Sequence, residues 1–243
     1  MKVHIVACSP HYELHKNVGK YNILSSQLGG MSIEPNYTKY SRHVDYGNTE
    51  SLAKRYNTFI EHYATTRTPG YDYTDDDILV LAHDDIVINE RWTLFDKLKA
   101  GLEKYDIVGL AGGSNPVISP PCLWHLMCDK STWSGNVGHV APGSNDIYGT
   151  HFGPYGRVLI LDGLFLAFKP KKIYDLGIKF DESCPAKFHF YDIDFSLTCN
   201  KNRLKLGTVN IDVTHSSPGL KAYTPEWLAG QEWFINKFKS GKY

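Results

Sequence analysis

LVLAHDDIVI, residues 79–88, is an apolar run that ends in His83-Asp84-Asp85 and then turns apolar again at once. Aspartate is common in surface turns, but two acids wedged between buried runs repel each other and lose hydration. A divalent cation offsets that cost, and Mg²⁺ or Mn²⁺ favours carboxylate oxygen. The stretch therefore reads as a buried strand that delivers acids to a cation site.

Working outward, VHIVAC (3–8) is a second short apolar run, closed by Ser9-Pro10, and residues 107–110 form a third. Between them lie helical patterns at 12–28, 48–64 and 94–105, with Asn48 or Thr49 as the expected cap of the second. A weak strand is expected at 31–34, a strand pair or bent strand at 158–168, a last strand at 209–213, and a closing helix at 225–238. Strands alternating with helices predict an α/β fold, a mainly parallel sheet with helices on both faces, as a single domain. Ligands of such sheets gather beyond the carboxyl ends of the strands.

Two further clusters are expected at such ends. In FHFYDIDFSL (188–197), Asp192 and Asp194 share one face if the segment is a strand, or complement the helix dipole if it begins a helix. Asp194 reads equally as a cap or an ion-pair partner. Asp192 is the stronger candidate for chemistry, since flanking aromatics would desolvate its carboxylate and tune it. VNIDVTHSSPG (209–219) brings His215 to the end of a strand. Residues 111–157, rich in Gly, Pro, Ser and Asn, read as a functional loop system in which Trp124, Trp133, Tyr148 and Tyr155 either bind an acceptor or pack the loops. Glycines 135, 138 and 143 suit a mobile lid.

The 243 residues carry 26 Lys plus Arg against 26 Asp plus Glu, so no global field draws the chain to nucleic acid or anionic lipid. Five scattered cysteines suit a reducing compartment, and no run approaches the ~18 apolar residues of a membrane span, so a cytoplasmic protein is expected. Cys122, His125 and Cys128 have zinc-like proximity but no second pair, which favours packing.

Together these pieces resemble the family-2-like glycosyltransferases of the GT-A (Rossmann-like) fold. VACS (6–9), AKRYNTFI (53–60), LAHDDIVI (81–88), LDGLFLAF (161–168), KFDES (179–183), FYDIDFSL (190–197) and VTHSSPG (213–219) follow the family's order. Two positions depart from it: His83 replaces the first acid of the DxD-type motif, and Tyr191 replaces the acid before the presumed base. The resemblance implies a metal-dependent, inverting transferase using a nucleotide-sugar donor, a UDP-sugar by default, and a glycan or other hydroxyl acceptor. It implies that Asp85 and His215 bind Mn²⁺ or Mg²⁺ and that Asp192 is the catalytic base. Ser9, Asn36, Asn57 and Asp84 would contact the nucleotide, and Asp162 and Gly163 the donor sugar. Residues 1–115 would form a nucleotide-binding half, 116–219 an acceptor and catalytic half, and 220–243 a C-terminal helix. Two other readings stay open. A nucleotidyltransferase also couples an α/β sheet to acids, although VACSPHYELHK (6–16) lacks a glycine-rich phosphate loop. An inactive sugar- or nucleotide-binding protein of the same fold is the second.

Overall fold

All seven residues of β1 (Val3–Ser9) are buried, as expected of a central strand covered on both faces. The computed structural model describes residues 1–10, 40–68, 71–90, 92–141, 146–216 and 223–243. The helix expected at 12–28, the strand at 31–34, and Asn36 and Gly143 lie outside those residues. The described elements, in order, are β1, β2 (Tyr40–Tyr46), α1 (Leu52–Thr65), β3 (Arg67–Thr68), β4 (Tyr71–Asp72), β5 (Ile78–His83), β6 (Ile86–Ile88), α2 (Leu94–Lys104), β7 (Ile107–Gly109), β8 (Ala111–Gly113), α3 (Trp124–Met127), β9 (Ser134–Val140), β10 (Ile147–Gly153), β11 (Arg157–Val158), β12 (Ile160–Leu161), β13 (Phe165–Phe168), α4 (Pro170–Asp175), α5 (Tyr191–Lys201), β14 (Leu206–Thr208), β15 (Val213–His215) and α6 (Pro225–Lys239).

Seven strands form the main sheet in the order β11-β14-β7-β13-β5-β1-β2. The expected parallel character holds for β2-β1-β5 and for β7-β14. It breaks at β13, which runs antiparallel to both β5 and β7, so the sheet is mixed. The chain enters β13 from the bend at Asp162-Gly163, with no crossover helix to set it parallel to its neighbours.

Side-chain alternation sorts the strands onto two cores. Val3, Ile5, Ala7, Ile78, Val80 and Ala82 face one core with Leu94 and Leu98 of α2 and Trp227 and Phe234 of α6. Val6, Cys8, Leu79 and Leu81 face the other with Tyr56 and Phe59 of α1, Ile173 of α4 and Phe195 of α5. Helices thus cover both faces, as the sequence predicts. Phe165 at the start of β13 is fully buried. Phe165→Ala should therefore cost about 3–5 kcal/mol of unfolding free energy by urea denaturation.

Helix α1 begins later than Asn48 or Thr49 would place it. Ser51 is the cap, its side chain accepting from the Lys54 N–H, while Asn48 folds into a turn by accepting from the Glu50 N–H. Removing the cap with Ser51→Ala should cost about 1 kcal/mol, measured by thermal melting.

A second, six-stranded sheet follows the order β12-β8-β9-β15-β6, with β10 paired to β9. Its hairpin β9–β10 gives regular structure to the stretch read from sequence as loops. Gly135, at φ +107°, lets β9 pair closely with β8, since a Cβ there would lie 1.9 Å from the Leu110 carbonyl oxygen. Between adjoining strands the chain crosses from one sheet to the other at 84–85, 110, 159 and 162–164. The site forms around the first and last of these crossings.

Candidate active site

β5 belongs to the main sheet and β6 to the second, so His83-Asp84-Asp85 is the turn that steps between them. Backbone hydrogen bonds fix this turn from two sides. The His83 N–H donates to the Leu164 carbonyl (3.0 Å), and the Ser216 N–H donates to the Asp85 carbonyl (2.8 Å). Three distant stretches of chain are thereby brought together.

His215 Nε2 lies 3.2 Å from Asp85 Oδ1, and His83 Nδ1 lies 4.0 Å from the same oxygen. One ligand atom from each of the three falls within 4.8 Å of the others, and among the described residues they form the cluster suited to a metal ion. Asp85 Oδ1, His215 Nε2 and Asp84 Oδ2 are buried atoms without a hydrogen-bond partner. Such orphaned atoms carry a desolvation cost that a bound cation would offset. The residues present therefore fit a cation.

The electrostatics agree. Burial works to raise the Asp85 carboxyl, but the adjacent His215 imidazole, and after it His83, outweigh it and hold the group below its ordinary value. Burial alone would lower His215, yet the Asp85 carboxylate keeps it raised. Asp84 is pushed up, mainly by burial and then by Asp85, against a hydrogen bond from Ser9. Ser9 thus reaches the cluster from the end of β1.

The second half of the site is the bend between β12 and β13. Asp162 accepts from the Leu164 N–H at Oδ1 (3.0 Å) and from the Trp124 indole N–H at Oδ2 (2.7 Å). The Gly163 N–H donates to Asp192 Oδ2 (2.9 Å), and the Tyr191 hydroxyl donates to the Gly163 carbonyl (3.1 Å). Tyr191 Oη also lies 2.8 Å from His83 Nε2. A chain of contacts therefore runs from the cation cluster through Tyr191 and Gly163 to Asp192.

Of the two readings of 188–197, the helical one holds: both acids stand in the first turn of α5. At 100° per residue they diverge. Asp192 faces the bend, while buried Asp194 pairs with Lys237 and accepts from the Tyr243 hydroxyl. Phe190 opens the helix at φ +65°, an unusual conformation for a residue with a side chain. Its ring is pinned by Trp227 and Phe234 of α6, at 5.3 and 6.2 Å between centroids. Packing thus aims the N-terminus of α5. Burial, and after it the charge of Asp162, pushes the Asp192 carboxyl up to about 7.

The remaining candidates divide. Asn57 does not join the cluster. Its amide exchanges hydrogen bonds with the backbone of Phe180 and donates to Glu182, lining a separate cavity of about 470 Å³. Trp124 and Trp133 pack with Phe152. Tyr155 is exposed and bonds Asn210. Tyr148, also exposed, stacks on His139, whose ring lies 5.9 Å from that of His215. Cys122 and Cys128 are buried free thiols. Sequence reasoning missed the constructive part of Tyr191, which it registered only as a departure, and missed His139 altogether. The one signal for His139 is its register beside His215 across β9 and β15, and that pairing exists only once the sheet is formed.

A mixed α/β sheet with acids and histidines gathered where its strands end is the organisation of GT-A glycosyltransferases. A sequence model of the glycosyltransferase like family matches residues 35–225. The chain belongs to that family and is a glycosyltransferase. Among solved structures, one of GalNAc-T7 with UDP, GalNAc and Mn²⁺ superposes with a TM-score of 0.51 at 10% identity, covering 94% of this chain and 47% of that one. It supports the fold; this chain spans about half its length. A197 from STIV aligns over 89% of this chain and 86% of its own at 12% identity, with a TM-score of 0.44 that carries no weight here. No curated protein matches. Among the described residues no helix is long and apolar enough to cross a membrane.

Proposed function

We infer that this glycosyltransferase is cation-dependent and inverting, and that it moves a sugar from a nucleoside-diphosphate donor to an acceptor hydroxyl. The observation that carries this reading is the hydrogen-bonded path from Asp192 through Gly163 and Tyr191 to a His/Asp/His cluster with orphaned ligand atoms. Asp85 and His215 would hold the cation. When bound, a divalent ion offsets the negative charge that builds on a departing diphosphate.

The chain's own residues account for the rest. Ser9 and Asp84, beside the ends of β1 and β5, offer a hydroxyl and an accepting carboxylate to the nucleotide. Asp162 would face the donor sugar; the space beside Gly163, expected from the sequence to admit that sugar, is filled instead by Tyr191 and Asp192. Asp192, anchored by the Gly163 N–H, takes the proton of the acceptor hydroxyl as that oxygen attacks the anomeric carbon from the face opposite the diphosphate. One such displacement inverts the anomeric centre without a covalent intermediate. Tyr148 and His139 supply an aromatic shelf beside His215 for an acceptor ring. Residues 1–115 then serve as the nucleotide-binding half, 116–219 as the acceptor and catalytic half, and 220–243 as the helix that buttresses α5.

A donor screen across sugar nucleotides, run with and without Mn²⁺, tests the reading. UDP-sugars and Mn²⁺ come first, since the GalNAc-T7 structure holds UDP, GalNAc and Mn²⁺. Release of nucleoside diphosphate with cation-dependent transfer is expected. Release of pyrophosphate would indicate a nucleotidyltransferase. Donor binding without turnover on any acceptor would indicate a sugar-nucleotide-binding protein.

A further inference from the structure

The two positions at which this sequence departs from the family pattern, His83 and Tyr191, touch each other 2.8 Å apart, although 108 residues separate them in sequence. A phenol has one proton. Tyr191 donates it to the Gly163 carbonyl, so its oxygen is left with lone pairs only. The Nε2–H tautomer of His83 fits that arrangement, since the 2.8 Å contact then has one donor and one acceptor. The other ring nitrogen, Nδ1, then carries the lone pair, and Nδ1 is the atom turned toward Asp85 Oδ1.

The phenol is itself held firmly. Tyr191 is buried, with the ring of Tyr56 edge-on at 5.6 Å, and it occupies the space that a Cβ on Gly163 would take. A hydrogen bond to the outer nitrogen of an imidazole sets both its tautomer and its orientation toward a metal.

We propose that His83 is a third cation ligand through Nδ1, that Tyr191 is the positioning residue that aims it, and that the resulting two-imidazole, one-carboxylate set selects a transition-metal ion over Mg²⁺. This rests on the cation reading above and makes it more specific. Imidazole suits later transition ions such as Co²⁺ and Zn²⁺; Mn²⁺, a harder ion that also favours carboxylate, still accepts imidazole more readily than Mg²⁺, which is held through oxygen donors. The departure at His83 thus changes which ion the site takes, and the departure at Tyr191 supplies the acceptor that a histidine needs at that place. An ionised glutamate there would also accept from a histidine but has no proton to give the Gly163 carbonyl, the contact that anchors Tyr191.

Binding of Mn²⁺, Co²⁺ and Mg²⁺ to the metal-stripped protein, measured by calorimetry without donor, tests this independently of turnover. The wild type should bind Mn²⁺ and Co²⁺ at least tenfold more tightly than Mg²⁺. Tyr191→Phe should weaken Mn²⁺ by about 10–100-fold, and His83→Gln at least as much, with the visible spectrum of bound Co²⁺ changed in both. His83→Asp should move the preference back toward Mg²⁺, a result that a merely structural histidine would not give. Circular dichroism of each metal-free variant establishes that it is folded. Asp85→Asn should abolish binding. If it does while His83→Gln and Tyr191→Phe bind Mn²⁺ as the wild type does, the proposal is overturned and the cation site stands. If the wild type prefers Mg²⁺, the proposal is also overturned. If the wild type binds none of the three ions, the cation reading itself fails, and the proposal with it.

Discussion

Asp192→Asn should lower kcat by about 10²–10⁴-fold while leaving the affinity for donor nucleotide nearly unchanged. Asparagine keeps the oxygen that accepts from the Gly163 N–H but has no basicity to offer the acceptor. The wild-type kcat should rise as pH passes through about 7, because the carboxyl there is pushed up by burial and by Asp162 and acts only when ionised. It should reach a plateau above that pH and fall roughly tenfold per pH unit below it.

The same group makes a stability prediction of definite sign. An acid raised in the folded state favours folding while protonated and loses that advantage as pH rises from its unfolded value, 3.8, to about 7. Asp192→Asn should therefore melt above wild type at pH 8, by at most about 4 kcal/mol, with the gap closing toward pH 4. A variant with near-normal kcat, or a gap independent of pH, would remove Asp192 from the role of base.

Gly163→Ala should be the most damaging single-carbon addition in the site. Its Cβ would lie 2.3 Å from Tyr191 Oη, 2.6 Å from Tyr191 Cζ and 2.8 Å from Asp192 Cβ. Tyr191 is buried and anchored at both ends of its hydroxyl, so the clash displaces either the phenol or the start of α5. Overpacking of this kind costs about 1–3 kcal/mol of stability. A base displaced by about 1 Å costs roughly a hundredfold in kcat. Gly156→Ala, in the turn leading into β11, is the control: nothing lies within 4 Å of its added carbon, and neither melting nor turnover should change. Equal behaviour of the two variants would show that the close approach at Gly163 is not what holds the base.

The alternation of strand and helix was readable along the chain because it is local. Apolar runs such as ILVLA (78–82) and the spacing of Leu52, Tyr56 and Ile60 each declare their own element. The acids at the ends of those runs were readable for the same reason, since Asp84 and Asp85 interrupt buried sequence where charge is costly. Element boundaries and strand direction were less legible. Asn48 and Ser51 are both acceptable caps, and geometry chose between them. The antiparallel insertion of β13 depends on its partners, β5 and β7, and no residue of FLAF (165–168) announces it.

What folding alone supplied is the set of contacts between side chains far apart in sequence. Composition and spacing put a histidine at 83 and a tyrosine at 191, and in isolation each weakened the case for a competent site. Only the sheet crossing at 84–85 and the aim of α5 bring the two within hydrogen-bond distance, turning two apparent losses into a pair. Likewise Asp192 and Asp194 are near-identical neighbours along the chain, and the helical twist sends one into the cleft and the other to Lys237. Local sequence encodes which residues are costly to bury. The path of the backbone in three dimensions decides which partners relieve that cost, because hydrogen bonds and ligand distances act over a few ångströms of space, whatever the separation along the chain.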